Sequence, residues 1–196
     1  MKRILFVTAL ASLLFCSSAF AKNDSFKFRG FDWGEDIAWV MVEESFSKLE
    51  KHEDYDIYED YFLLYNIEAG GHNMTAVFKF YRDSLVSGSY NLSEEYESSQ
   101  GYYEAFADLL SKYKDKYGDP DSYNKEWSET IKDKKVDKND SDKYGKYIKA
   151  GELEITARWN AEDGSFIAMS IYGENREISV VILYVEPDYE NDTNGI

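Results

Sequence analysis

Apolar residues recur at helical spacing in two segments of the chain. In the second segment, the large side chains step by three or four residues from Tyr102 to Tyr117, which is the period of one helix face. Gly118 and Pro120 follow directly, and both residue types are typical of a helix end. The weaker pattern of residues 35–50 starts with two acids, which the helix dipole favours in a first turn. The pattern therefore predicts two main helices.

Between and after these segments, apolar residues alternate with polar ones or form short apolar runs, as in β-strands. The alternation is clearest in residues 152–159, and the run 178–185 is apolar on both faces, as in a central strand. The predicted strands are residues 55–67, 74–81, 85–92, 122–130, 152–159, 165–172 and 178–185. A loop rich in lysine and aspartate is predicted over residues 131–145.

These elements predict an α+β fold, in which two main helices pack on one face of an antiparallel sheet of about seven strands. Both halves of the chain run from a helix to strands, and residues 76–92 and 168–185 could be equivalent hairpins. Two tandem αβββ-like halves are therefore an open alternative. We predict a single α+β domain over residues 22–196, which ends in a short acidic tail.

Residues 1–21 have the three parts of a bacterial secretory signal peptide. A basic start precedes an apolar segment that is too short to span a bilayer, and a small-x-small cleavage site ends at Ala21. We therefore predict a periplasmic or secreted location. A lipoprotein anchored through Cys16 is the less favoured alternative, because Phe15 stands where lipoprotein signals need a small residue.

The chain carries a formal net charge of −16 and a single cysteine, Cys16. Cleavage of the signal peptide would remove that cysteine, so we predict no disulfide, thiol nucleophile or thiolate metal site. The negative charge repels nucleic-acid phosphates and anionic lipid headgroups. We therefore predict neither nucleic-acid binding nor membrane insertion after signal cleavage, and the oligomeric state stays open.

Residues suited to catalysis or metal binding do not form a recognisable motif. His52 and His72 lie in polar or glycine-rich stretches, and we predict that both are surface residues. The segment that starts at Asp137 has oxygens at the first places of a calcium loop, but it lacks the central glycine and the final glutamate. Carboxylate pairs are frequent in so acidic a chain, and none is marked out as buried. We predict no catalytic, cofactor-binding or metal-binding residue.

Aromatic residues make up 17% of the chain, which suits either sheet packing or recognition of a protein, peptide or glycan. The stretch FKFRGFDWGED, residues 26–36, gathers aromatic, basic and acidic side chains. We interpret it as a first strand (residues 26–28), a turn and the start of a helix, with Arg29 pairing with a nearby carboxylate. The candidates for ligand or protein contact are Arg29, Trp33, Tyr58, Tyr61 and Tyr65.

The start F-R-G-x-x-W-G, residues 28–34, resembles the start of small secreted bacterial proteins of unknown function. In these proteins an amphipathic helix follows at once, and a later helix ends in Y-G-x-P with a tryptophan shortly after, as at residues 117–120 and Trp127. The resemblance implies a secreted α+β domain and supplies no activity. We therefore expect a non-catalytic binding or interaction module of the periplasm or cell exterior. The alternatives are an envelope structural or assembly factor and, less favoured, a carboxylate-dependent hydrolase.

Overall fold

The computed structural model of the chain describes residues 23–46, 50–57, 60–132 and 137–187. The predicted signal peptide, most of the acidic tail and Tyr58 lie outside these residues. The helices are α1 (Ile37–Phe46), α2 (Ser99–Tyr117), α3 (Glu129–Lys132) and α4 (Tyr144–Lys149), and a 3₁₀ turn (Ser141–Lys143) leads into α4. The strands are β1 (Glu50–Ile57), β2 (Asp60–Ala69), β3 (His72–Tyr81), β4 (Ser84–Leu92), β5 (Ser122–Trp127), β6 (Leu153–Asn160), β7 (Phe166–Glu174) and β8 (Glu177–Val185).

The described strands form one antiparallel sheet in the order β1-β2-β3-β4-β8-β7-β6-β5. Strands β1 to β4 make up one side of the sheet and β5 to β8 the other. The two sides meet where β4 pairs with β8, with Ser89 opposite Leu183. The predicted α+β fold with an antiparallel sheet is confirmed. A duplication of two halves stays a prediction, although a helix precedes each group of four strands.

One face of the sheet carries the core, because apolar residues alternate with polar ones along the strands. The buried residues of β3 and β6 are Met74, Ala76, Phe78, Phe80, Leu153, Ile155, Ala157 and Trp159. Helix α2 joins this core through Phe106 and Leu109, and α4 joins it through Ile148. Full burial of a Leu or Phe side chain contributes about 1.5–3 kcal/mol, so the helices are held by the face that they cover.

Helix α2 begins and ends where the sequence predicts. The Ser98 hydroxyl accepts a hydrogen bond from the Gly101 N–H at 3.1 Å, which satisfies a free donor of the first turn. At the other end, Gly118 has a φ of 84° and its N–H donates to the Lys114 carbonyl at 2.8 Å. A positive φ favours glycine over residues that carry a Cβ.

Three predicted boundaries are wrong. Residues 55–67 do not form one strand but belong to the β1–β2 hairpin, which reverses between Ile57 and Asp60; no glycine, proline or asparagine marks the reversal. The predicted strand 122–130 ends at Trp127, and α3 follows. The predicted loop 131–145 contains the end of α3, the 3₁₀ turn and the start of α4.

The first helix is shorter than predicted, since α1 starts at Ile37 and β1 already begins at Glu50. Asp36 caps α1, because its carboxylate accepts the Ala38 N–H at 2.8 Å. Asp36 therefore caps the N-terminus of α1, whereas the sequence pattern had placed it in the first turn of the helix.

The predicted strand over residues 26–28 is also wrong, because this segment forms only an isolated bridge between Phe28 and Phe31. The Phe31 N–H donates to the Phe28 carbonyl at 3.0 Å and closes a tight turn, in which Arg29 and Gly30 have φ values of 53° and 91°. Phe28 is fully buried and its ring lies over Gly88, where an added Cβ would come within 2.1 Å of the ring. The segment therefore packs against the sheet through its side chains and adds no central strand.

Candidate functional site

Arg29 lies in a largely buried ion pair. Its Nε donates to Glu44 Oε1 at 2.8 Å and its Nη2 donates to Oε2 at 3.1 Å. The Glu44 side chain is only 3% exposed and the Arg29 side chain 20%. Burial acts to lower the pKa of Arg29, but the hydrogen bonds and charges of Glu44 and Tyr90 together outweigh it and raise the pKa. The predicted pairing of Arg29 with a carboxylate is confirmed, and it ties the first turn to α1.

The other predicted contact residues do not form a surface with Arg29 in the described part of the chain. Trp33 packs against the core, and its indole Nε1 is buried without a hydrogen-bond partner among the described residues. Tyr65 is 2% exposed and its ring meets Phe78 edge-on at 6.0 Å, so its burial speaks against a contact role. Tyr61 pairs through its backbone with Phe80; its side chain, like Tyr58, is outside the description.

A cleft of about 430 Å³ lies beside the chain segment that links β4 to α2. We call it the linker cleft; residues 92–99, Tyr102, Lys149 and residues 176–178 line it. Leu92 and Ile178 pack partly on the core. The other lining residues are mostly polar or charged, so the cleft combines an apolar base with charged sides.

Arg176 occupies an unusual position in the tight turn between β7 and β8. The turn consists of Asn175 and Arg176, with φ values of 52° and 71°, and the pair Glu174 and Glu177 closes it. Positive φ at both residues is the pattern of a type I′ turn, which normally takes Gly at the second position. A residue with a Cβ costs about 1 kcal/mol there. The turn thus holds an arginine at the cleft where glycine would be less strained.

The two cations of the linker cleft have no internal partner. Lys149 and Arg176 are both exposed, and within the described residues their side chains make neither a hydrogen bond nor an ion pair. Glutamates line the same cleft at residues 94, 95, 97 and 177. In a chain with a net charge of −16, an arginine and a lysine left unpaired next to carboxylates are available to an external anionic group.

His72 contacts two residues that line the linker cleft, Glu94 and Tyr96. Its Nδ1 lies 3.3 Å from Glu94 Oε2 and 3.0 Å from the Tyr96 hydroxyl, and its Nε2 lies 2.9 Å from Asp108 Oδ2. Each ring nitrogen thus faces a carboxylate oxygen. Lys112 also donates to Asp108, at 2.5 Å. The linker is thereby attached to β3 and to α2.

Burial and hydrogen bonds shift the pKa values of two residues of this network, Tyr96 and Glu94. Burial, followed by the bond to Glu94, raises the pKa of Tyr96 to about 12, so its hydroxyl stays a donor to Glu94 at 3.0 Å. The bond from Tyr96, followed by that from His72, lowers the pKa of Glu94. Glu94 is therefore held in its ionised form.

Sequence reasoning missed this site. His72 was expected at the surface, but it is partly buried, with a side chain that is only 13% exposed. The side chain of His52 lies outside the described residues. The only local signal is the turn at Gly70 and Gly71, whose φ values are 61° and 80°. It fixes His72 as the first residue of β3 but does not reveal the partners, which are 22 to 36 residues away in the chain.

The described residues contain no group of three or more His, Cys, Asp or Glu side chains that could hold a metal ion. No helix in the described part of the chain is both long and apolar enough to cross a membrane. Comparisons with protein-family models, curated proteins and solved structures find no match to this chain.

Proposed function

We propose that the chain is an exported, non-catalytic binding module that holds a small polar ligand in the linker cleft. The observation that carries this proposal is the pair of cations, Lys149 and Arg176, which line the cleft without an internal partner. An anionic group of the ligand binds between them, and arginine can do so through two parallel hydrogen bonds. The neighbouring glutamates accept hydrogen bonds from the donor groups of the same ligand.

The size and composition of the cleft support a small ligand. Its volume of about 430 Å³ is within the range of roughly 300–1,000 Å³ that is usual for ligand sites. Leu92 and Ile178 offer apolar contact, while the tyrosines at residues 96 and 102 pack edge-on with ring centres 5.1 Å apart. Such rings bring a rigid apolar body with a polar tip to a binding site.

The directions of the pKa shifts at Glu94 and Asp108 suit binding better than general acid catalysis. General acid catalysis by a carboxyl needs a pKa raised by burial or by a like charge. Hydrogen bonds lower the pKa values of Glu94, Asp108, Asp140 and Asp163 instead. These carboxylates accept hydrogen bonds from cationic or hydroxyl groups, which is a role suited to ligand binding.

Export is the part of the proposal that rests on residues 1–21 alone. Expression of the full chain in a bacterial host should yield a protein outside the cytoplasm whose first residue is Lys22. Intact mass and N-terminal sequencing measure this directly. A cytoplasmic product that keeps Met1, or one that starts at a lipid-modified Cys16, would refute the proposed processing.

Binding is tested with a defined mixture of amino acids, sugar acids and short peptides with free termini. Addition of the mixture should shift the backbone amide resonances of residues 176–178 in a saturable way. The double variant Lys149→Ala with Arg176→Gly should weaken this binding by about 10-fold or more. Lys146→Ala is the matched control, because it removes an exposed lysine of the same helix outside the cleft. Equal loss in both variants, or no saturable shift, contradicts the proposal.

A further inference from the structure

Two hairpins of the sheet have the same turn geometry. Residues Arg82 and Asp83 join β3 to β4 with φ values of 50° and 64°, as residues 175 and 176 join β7 to β8. In such a two-residue hairpin, the closing pair exchanges hydrogen bonds, so the next residue turns its N–H and C=O away from the hairpin partner. That residue is Leu85 in β4 and Ile178 in β8.

At Leu85, another segment of the same chain forms hydrogen bonds with these outward-facing backbone groups, which make up an edge of the strand. The Gly34 N–H donates to the Leu85 carbonyl at 2.9 Å, and the Leu85 N–H donates to the Glu35 carbonyl at 2.9 Å. The Ile37 N–H then donates to the Asp83 carbonyl at 3.0 Å. Residues 34–37 therefore pair with the start of β4 through these three bonds and an isolated bridge between Asp36 and Ser84, and they confirm the direction in which the Leu85 backbone points.

At Ile178, the equivalent edge is open. The ladder between β4 and β8 extends only as far as the pair Asn91 and Val181, and Val181 lies three residues after Ile178. The outward-facing N–H and C=O groups of Ile178 have no partner in the part of the chain that the structure describes. The linker cleft lies at this edge, with Ile178 in its lining. An unpaired strand edge is a template for pairing with another extended chain.

We propose that the linker cleft binds a short peptide in extended conformation, which pairs with the Ile178 backbone as residues 34–37 pair with Leu85. An acidic side chain or the terminal carboxylate of the peptide meets Arg176 and Lys149. This inference rests on the proposed function and specifies its ligand class. A peptide fits better than a sugar acid, because an extended backbone presents both the acceptor and the donor that the open edge requires.

The probe is a synthetic peptide of residues 31–37, Phe-Asp-Trp-Gly-Glu-Asp-Ile, whose backbone already makes this pairing at Leu85. Its control is the same peptide with a methyl group on the nitrogen of Gly34, which removes the donor that Leu85 accepts. Amide hydrogen exchange is followed on the complete processed protein. In the free protein, the Ile178 amide should exchange about 10-fold or more faster than the Leu85 amide. The unmodified peptide should slow Ile178 exchange selectively and saturably, and the methylated peptide should bind about 10-fold more weakly.

A matched pair of glycine variants tests the charge contact. Arg176→Gly should weaken binding of the unmodified peptide by about 5- to 10-fold, without lowering stability, because glycine suits the turn. Asp83→Gly makes the same change at the equivalent place of the β3–β4 turn and should leave peptide binding unaltered.

The outcomes separate the two proposals. Equal binding of the methylated and unmodified peptides overturns strand addition and leaves ligand binding in the cleft in place. Strand addition is also overturned if about 1 mM peptide does not slow exchange of the Ile178 amide while the polar mixture still shifts the cleft resonances. An Ile178 amide that is already as protected as that of Leu85 in the free protein refutes the open edge itself. Failure of both the mixture and the peptide removes the proposed function as well.

Discussion

Breaking the buried ion pair between Arg29 and Glu44 should destabilise the fold much more than breaking an exposed ion pair would. Glu44 is 3% exposed and bonded through both oxygens, so Arg29→Met leaves a buried carboxylate without its cation. Such a change costs about 3–5 kcal/mol, and since Arg29 itself is 20% exposed we expect the lower end, about 3 kcal/mol. For a domain of this size, that loss lowers the melting temperature by about 6–12 °C.

The double variant isolates the charge from the packing. Arg29→Met with Glu44→Leu removes both charges and keeps apolar volume at the site, so it should recover most of the loss and give a coupling energy of about 2 kcal/mol or more. Methionine is chosen because Arg29 has a φ of 53°, and any residue with a Cβ keeps the same backbone strain. The four proteins are compared by urea unfolding at neutral pH.

An exposed pair in the same stretch provides the control. Lys27 and Asp32 are 2.6 Å apart, but their side chains are 49% and 65% exposed. Lys27→Met should therefore cost no more than about 0.5 kcal/mol. If Arg29→Met costs as little as this control, or if the losses of the two single variants at Arg29 and Glu44 simply add, the reasoning from burial is refuted.

Two further predictions concern the core and the acid range. Gly88→Ala places a Cβ 2.1 Å from the ring of Phe28 and should cost about 2 kcal/mol, which Phe28→Leu in the same chain should partly restore in thermal melts; two independent losses would contradict the contact. The bonds from Tyr96 and His72 lower the pKa of Glu94, so its contribution to stability is present above the ordinary value of 4.5 and is lost as the pH falls through the folded pKa. His72→Gln should flatten the fall in unfolding free energy below pH 4.5, whereas curves that stay parallel to those of the parent protein would refute the link.

Residue periodicity explains how far the fold can be predicted from the sequence. Strands β3 and β6 are recognised because their buried residues fall on every second position. The β1–β2 hairpin is missed because its reversal between Ile57 and Asp60 carries no residue that favours positive φ. Helix α4 is missed for another reason: it is held by packing, since an added Cβ at Gly145 would come within 2.3 Å of the Ser99 carbonyl oxygen. Short helices depend on such contacts more than on propensity.

The linker cleft could not be predicted, because its residues are brought together only by the sheet. Lys149 ends a helix that the sequence pattern does not reveal. In the Asn-Arg turn only the asparagine favours positive φ, so nothing in the pattern marks Arg176. The pairing of Arg29 could be predicted, because Arg29 has no packing role in the stretch 26–36 and the chain is rich in acids. The identity of that partner, Glu44 in α1, required the structure.

The opening stretch of the chain also accounts for why one strand edge is closed and the other open. The two turns at Gly30 and Gly34 carry residues 34–37 onto the edge at Leu85, where three backbone hydrogen bonds hold them. The linker before α2 follows a different course: His72 holds it through Glu94, and it leaves Ile178 without a partner among the described residues. If the edge at Ile178 had only a structural role, a short segment of the chain like 34–37 would be the simplest way to cover it. The open edge beside two exposed cations therefore supports the proposed binding of a ligand that comes from outside the chain.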